Sequence, residues 1–342
     1  MSVFIIAEAG VNHNGSIETA LKLIDAAVEA GADAVKFQTF KADNLVIKGS
    51  RKAKYQSDNT DDSDQYTMLK QLELSNDEHV VLANHCKEQS IEFMSTGFDE
   101  ESIELLIKLG IQRIKVPSGE ITNTPFLKFL ASKQLPMILS TGMATLDEVE
   151  EAVQVIREQQ SPELQSRTAG LTILHCTSSY PAPLESVNLN AMKTLAEYFG
   201  LPVGYSDHTE GTLVAPMAVA MGAKVIEKHF TLDRTMPGPD HKASLEAQEL
   251  KDMIADIRAV ELAFGSGIKV PTDAEQDVLK VARRSICCRT DLPKGTTLTH
   301  EHMIMLRPGD GIPPNQIEKL VGRELVHSKD RHEPLTWEDL GP

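Results

Sequence analysis

Short runs rich in β-branched and aromatic residues recur along this chain, and most are followed by segments whose apolar positions repeat at helical spacing. In residues 17–30, for example, Leu21, Ile24, Ala27 and Val28 fall on one helical face. The pattern predicts strands at 4–9, 34–39, 91–96, 113–116, 137–141, 171–176, 203–206 and 225–230. Eight strands alternating with helices over roughly 250 residues predict an α/β fold of the (β/α)8 TIM-barrel type.

Two departures from the alternation set the domain plan. The gap between the second and third strands is long and polar, with Ser57, Asp58, Asn59, Asp61, Asp62, Ser63 and Asp64 clustered in it, and it reads as a loop over the barrel mouth. After Phe264 come Gly265-Ser266-Gly267 and Pro271, and then short β-like pieces split by turn signals such as Pro293-Lys294-Gly295 and Pro308-Gly309-Asp310-Gly311. The expected organisation is a barrel over 1–264, a linker over 265–280, and a small β-rich domain over 281–342.

Composition narrows the partners. With 50 acidic against 34 basic residues the formal charge is −16, which argues against a nucleic-acid or anionic-membrane surface. An anionic substrate must then be met by locally placed Lys, Arg, His or metal. No apolar run approaches the roughly 18 residues of a membrane span, and Phe4-Ile5-Ile6-Ala7 is cut short by Glu8. Cys86, Cys176, Cys287 and Cys288 have no CxxC spacing and read as reduced thiols, so a cytoplasmic protein is expected.

Barrel chemistry sits at the carboxy-terminal strand ends, and here all of those ends are polar. They present Glu8; Lys36 and Gln38; Ser95-Thr96; Lys115, with Ser118 and Glu120 beyond it; Ser140; His175, Thr177 and Ser178; Ser206-Asp207-His208; and Glu227 with His229. A single Ser or Thr there is as well explained by capping, but capping does not cover eight strands at once. His208 and His229 end adjacent strands, near enough to share a divalent ion, though two unrelated backbone-bonded histidines are the simpler alternative. Lys36 and Lys115, with Ser118, Ser140 and Ser206, can converge on a phosphate or carboxylate. Taken alone, Lys115 is equally a snorkelling residue.

Several stretches in order resemble the sialic acid synthase family: Ile6-Ala7-Glu8-Ala9-Gly10-Val11-Asn12-His13-Asn14-Gly15, Val35-Lys36-Phe37-Gln38-Thr39, Lys115-Val116-Pro117-Ser118-Gly119-Glu120, Ser140-Thr141-Gly142-Met143, Tyr205-Ser206-Asp207-His208-Thr209, Glu227-Lys228-His229-Phe230 and Gly238-Pro239-Asp240-His241. Leu306-Arg307-Pro308-Gly309-Asp310-Gly311-Ile312 resembles that family's antifreeze-like (SAF) domain. The resemblance implies that His208 and His229 bind a divalent metal, Mn2+ first and Mg2+ or Co2+ next, which polarises an open-chain sugar aldehyde. It implies that Glu8 and Asp240 meet sugar hydroxyls or metal-bound water. Lys36, Thr96, Lys115, Ser118, Ser140 and Ser206 would cradle phosphoenolpyruvate, with Glu120 near its C2. Gln38, Ser178 and Tyr180 complete the expected substrate contacts. Ser178 stands where some sialate synthases have Asn, so its contact is not carried over directly. Arg307 would reach the N-acyl end of the sugar from a partner subunit, implying a domain-exchanged homodimer.

The expected reaction is condensation of phosphoenolpyruvate with an N-acylated hexose and water. N-acetylmannosamine leads as acceptor, and the 2,4-diacetamido-trideoxy sugar that leads to legionaminic acid is the alternative. Water at C2 would be activated by Glu120, or failing that by Glu8. The competing classes are a Schiff-base aldolase using Lys36, Lys115 or Lys228, and a non-catalytic carbohydrate- or ice-binding protein.

Overall fold

The computed structural model describes residues 2–167 and 170–341. The chain divides into two compact units, Met1–Gly265 and Ser266–Pro342. In the first, eight parallel strands are found among the described residues: β1 (Phe4–Gly10), β2 (Ala34–Thr39), β3 (Glu92–Gly97), β4 (Ile114–Val116), β5 (Met137–Ser140), β6 (Leu171–Cys176), β7 (Val203–Asp207) and β8 (Val225–Thr231). They are hydrogen-bonded in the order β3-β2-β1-β8-β7-β6-β5-β4, and β3 packs beside β4, bringing the sheet round into a barrel. A two-residue strand, β9 (Leu245–Glu246), pairs in parallel with Phe230 and Thr231 at the end of β8.

The helices between strands are set by their ends. Ser16 accepts from Thr19 N to start the helix Ile17–Ala30, and Gly31 ends it at φ 84°, where only glycine is unstrained. Ser75 with Glu78, and Thr145 with Glu148, form reciprocal caps on Asn76–Glu88 and Leu146–Gln159. The apolar faces of these helices meet the outward side chains of the strands in one continuous shell that includes Ile5, Leu23, Phe37, Leu127, Tyr205 and Ile257.

Inside the barrel a separate apolar plug is built from Ile6, Ala34, Met94, Ile138, Leu174 and Val225. Side chains two residues further along a strand point the same way. Those residues are Glu8, Lys36, Thr96, Ser140, Cys176 and Glu227, so the step from greasy floor to polar chamber is written on six strands at once.

The long polar stretch after β2 differs from a plain loop. It contains the short helices Ala42–Leu45, Lys54–Asn59 and Gln65–Leu72 ahead of Asn76–Glu88. Asp64 caps the third of these through Thr67 N, while Met68 and Leu72 bury against Val11 and Phe40 in a small core of their own. Local caps and a few apolar anchors make helices here without long-range periodicity.

The second unit pairs β10 (Ser285–Cys288) with antiparallel β11 (Met303–Leu306). Its core holds Ile286, Cys288, Leu298, Met303, Leu320 and Leu335. All four cysteines are buried free thiols, and no helix among the described residues is long and apolar enough to cross a membrane.

Candidate active site

A cavity of about 490 Å³ opens above the apolar plug, at the carboxy-terminal strand ends. Its floor is an ionic lattice. Lys36 Nζ lies 2.6 Å from Glu8 Oε2 and 3.6 Å from Glu227 Oε2, and donates to Thr96 Oγ1 at 2.9 Å. Lys115 Nζ lies 3.4 Å from Glu227 Oε1 and donates to Ser140 Oγ at 2.8 Å. Ser206 Oγ donates to the same Glu227 oxygen at 2.8 Å.

Two lysines and two glutamates therefore share one buried chamber, and their proton affinities diverge. Burial pushes the Glu8 carboxyl up to about 7, only partly offset by Lys36. Burial acts the same way on Glu227, but Lys115 and Lys36 outweigh it and hold that carboxyl at about 2. Burial lowers the Lys115 ammonium pKa, whereas Glu227 and Glu8 more than compensate burial at Lys36 and raise it. Ser118 Oγ accepts from Gly142 N at 2.9 Å on the rim of this cationic end. A side chain at Gly142 would collide with Ser178, Cys176 and Ser118, which is why the β5 turn needs glycine there.

The other end of the cavity is aromatic. His208 and His229 have ring centroids 5.6 Å apart, and Tyr180 lies over His208 at 4.2 Å and edge-on to His229 at 5.7 Å. Tyr55, from the helix Lys54–Asn59, packs on Tyr180 at 5.1 Å. Gln38, Ser178 and Gln56 line the wall between the two ends, with Gln38 Nε2 3.5 Å from Glu8 Oε1.

The two imidazoles fit a divalent ion. His208 Nδ1 sits 2.7 Å from Thr177 O, an acceptor only, so Nδ1 carries the proton and Nε2 keeps its lone pair. His229 Nδ1 is buried without a hydrogen-bond partner, 3.9 Å from Asp240 Oδ2. Burial lowers both imidazole pKa values, keeping the rings neutral as ligands must be. Among the described residues no cluster of three or more His, Cys, Asp or Glu could hold an ion, so oxygen donors of substrate and water would complete the set. Burial pushes the Asp240 carboxyl up to about 6.

Twelve of the fifteen residues singled out from the sequence line this cavity: Glu8, Lys36, Gln38, Thr96, Lys115, Ser118, Ser140, Ser178, Tyr180, Ser206, His208 and His229. Asp240 reaches it through His229. Glu120 does not line it: the 3-10 turn Ser118–Glu120 leads into a contact in which Glu120 accepts from Asn123 Nδ2 at 2.7 Å. Arg307 directly follows β11 in the second unit and is exposed. Glu227, named with His229 among the polar strand ends, was given no role there, although its two-residue spacing from His229 puts it on the cavity face. Tyr55 and Gln56 had none, because their helix has no apolar period.

A parallel barrel whose strand-end cavity sets two buried lysines opposite two neutral imidazoles has the architecture of a barrel enzyme. The NeuB family model matches residues 23–269, and the SAF domain model matches 283–341. N,N'-diacetyllegionaminic acid synthase of Legionella pneumophila is 53% identical over 341 residues, spanning 99% of this chain and 95% of that protein. Human N-acetylneuraminate-9-phosphate synthase is 35% identical over 341 residues, spanning 98% and 92%. The crystal structure of N-acetylneuraminic acid synthetase from Leptospira borgpetersenii, in complex with citrate, superposes with a TM-score of 0.70 at 34% identity, covering 82% of this chain and 90% of that one. The chain belongs to the NeuB family, and it is a synthase of the nonulosonic-acid type, which joins phosphoenolpyruvate to a sugar.

Proposed function

We propose that the acceptor is a 2,4-diacetamido-2,4,6-trideoxy hexose, and that phosphoenolpyruvate, this sugar and water give a nine-carbon 3-deoxy-2-ulosonic acid and phosphate. The observation that carries the reaction is the meeting of Lys36 and Lys115 with His208 and His229 in one cavity. The choice of sugar is supported by the legionaminic acid synthases of Legionella pneumophila and Campylobacter jejuni, at 53% and 48% identity, against 35% for the human enzyme. N-acetylmannosamine, the general acceptor suggested by the motifs, is the comparison substrate.

In this reading Lys36, Lys115, Thr96, Ser118, Ser140 and Ser206 hold the carboxylate and phosphate of phosphoenolpyruvate by charge-assisted bonds. His208 and His229 hold a divalent ion, Mn2+ before Mg2+ or Co2+, which when bound supplies Lewis-acid polarisation of the sugar aldehyde. C3 of phosphoenolpyruvate forms the new bond to the aldehyde carbon. Glu8, protonated near neutrality, gives its proton to the resulting alkoxide; ionised, it takes one from the water that adds at C2. The tetrahedral adduct then expels phosphate by C–O cleavage. Glu120, tied to Asn123, is the less favourable base, and Glu227 stays ionised as counter-charge to both lysines. Asp240 and Gln38 face the sugar hydroxyls. Arg307 completes the site of a second copy in a homodimer. Phosphoenolpyruvate as a substrate and four buried free thiols support a cytoplasmic location.

Phosphate release with each of the two sugars, with mass spectrometry of the product, tests the proposal. Faster turnover of N-acetylmannosamine than of the diacetamido sugar reverses the acceptor. Phosphate released without a sugar-derived product overturns the condensation. Borohydride trapping of a pyruvate adduct on Lys36 or Lys115 substitutes Schiff-base chemistry for it.

A further inference from the structure

We propose that the buried ion pair between Asp207 and Lys228, on the outer side of the barrel wall, sets the spacing of His208 and His229, making both charged residues positioning residues for the two-imidazole site. This rests on the reading of those histidines as ligands of a divalent ion.

The register of β7 and β8 pairs Ser206 with Glu227 and Asp207 with Lys228. Because side chains alternate across a strand, Ser206, His208, Glu227 and His229 face the cavity while Asp207 and Lys228 face the opposite way. There the two charges are sealed from solvent, each side chain 0% exposed, with Lys228 Nζ 3.0 Å from Asp207 Oδ2. Nothing in the proposed reaction uses them.

What they hold is Thr209. Asp207 Oδ1 accepts from Thr209 N at 2.9 Å and from Thr209 Oγ1 at 2.8 Å, and Lys228 Nζ donates to Thr209 O at 2.5 Å. Every polar atom of Thr209 is thus bound by the pair. Thr209 follows His208 in sequence, and Lys228 precedes His229. The turn that carries one imidazole is therefore fastened to the strand that carries the other, one residue away from each ring. His208 is fixed a second time through Nδ1 to Thr177 O, so its remaining nitrogen has a single direction available.

A buried ion pair is poorly explained as a stabilising device, since apolar replacements of such pairs are often neutral or favourable. Geometry is the better explanation. A pair that ties together Asp207, Lys228 and both ends of the Thr209 peptide fixes relative position in a way that apolar packing does not.

The test uses the full-length chain. Mn2+ affinity is measured by the loss of the free-ion electron paramagnetic resonance signal, with melting temperature and phosphoenolpyruvate KM in parallel, for wild type, Asp207→Asn, Lys228→Met and Ile226→Ala. Ile226 is a fully buried apolar residue of the same strand and reports what general loosening of β8 does. The expected result is a 10- to 100-fold weaker Mn2+ Kd in the Asp207 and Lys228 variants, with phosphoenolpyruvate KM within about twofold, because the lysine cradle is untouched. Ile226→Ala loses melting temperature but keeps its Mn2+ affinity. Asp207→Asn, which preserves shape and an acceptor for Thr209, carries the test should Lys228→Met fail to fold. Wild-type affinity in Asp207→Asn, or equal weakening in Ile226→Ala, overturns the inference alone. Absence of Mn2+ binding by the wild-type chain overturns the divalent-ion reading and the inference together.

Discussion

Glu8 and Glu227 approach the same ammonium group, that of Lys36, at 2.6 and 3.6 Å, yet they keep their protons on opposite terms. Glu227 has a second cation, Lys115, and a hydroxyl donor, Ser206, and stays ionised. Glu8 has one cation in contact, Lys36, with Lys115 more distant and the Glu227 charge opposing both, so burial dominates and its carboxyl titrates near neutrality. Two carboxyls driven apart in this way suit one to proton transfer and the other to fixed charge.

The acid form of Glu8 is the one needed for the first proton transfer. That form is present below its pKa of about 7 and is lost as pH rises through it. The pH profile of kcat/KM is therefore expected to fall on the alkaline side with an apparent pKa near 7. Glu8→Gln should lower kcat by about 10²- to 10⁴-fold and abolish that limb. A limb that persists unchanged in Glu8→Gln would belong to another group.

Lys115→Met is expected to raise the KM for phosphoenolpyruvate about 10- to 100-fold, the equivalent of one charge-assisted hydrogen bond. The sugar KM should move by less than about threefold, because that end of the cavity is built from His208, His229 and Tyr180. Loss of one of the two cations facing Glu227 also relaxes the pull that keeps its carboxyl acidic. Steady-state kinetics with each substrate varied separately measures the split, and a selective rise in the sugar KM would remove Lys115 from the anion cradle.

Tyr55 is expected to act on the acceptor alone. Its ring continues the stack from His208 through Tyr180 toward the solvent side of the cavity. Tyr55→Ala should reduce kcat/KM for the diacetamido sugar by about threefold to tenfold, the scale of one aromatic contact, while Tyr55→Phe retains it. Phosphoenolpyruvate KM should not change in either. Equal losses for both substrates in Tyr55→Ala would make the residue a general support of the loop.

The barrel was legible in the sequence because its parallel strands are buried on both faces and bounded by turns, and their polar ends stand out against apolar runs. Lys36 and Glu227 show how a site becomes readable: each lies two residues beyond a member of the apolar plug, Ala34 and Val225. The helix bearing Tyr55 was illegible for the opposite reason. It is six residues long, has no buried residue, and is held in part by Asn59 donating to Pro239 O, a contact 180 residues away in the chain. The position of Glu120 was also beyond the sequence, since the motif places it beside Ser118 but only the turn geometry commits it to Asn123.

Arg307 gives the last prediction. It is exposed in the second unit, where an isolated arginine would ordinarily be a surface residue. It directly follows β11 and precedes Pro308-Gly309, so the backbone that presents its guanidinium is constrained on both sides. Gly309 N is bonded to Lys280 O, and Ser285 Oγ donates to Pro308 O, which fixes the turn within its own unit. A guanidinium held in this way suits an amide carbonyl or carboxylate acceptor, and the proposed dimer sets it against the sugar bound by a second copy. Arg307→Ala and His229→Ala homodimers should then each be nearly inactive. When they are mixed and re-equilibrated, one of the two sites in each heterodimer pairs an intact barrel with an intact small unit. Random exchange at equal concentrations should restore about a quarter of wild-type activity, because half the dimers are mixed and half their sites are whole. Size-exclusion chromatography of differently tagged chains verifies the exchange. Recovery of no activity from verified heterodimers would show that Arg307 serves its own chain or no site at all.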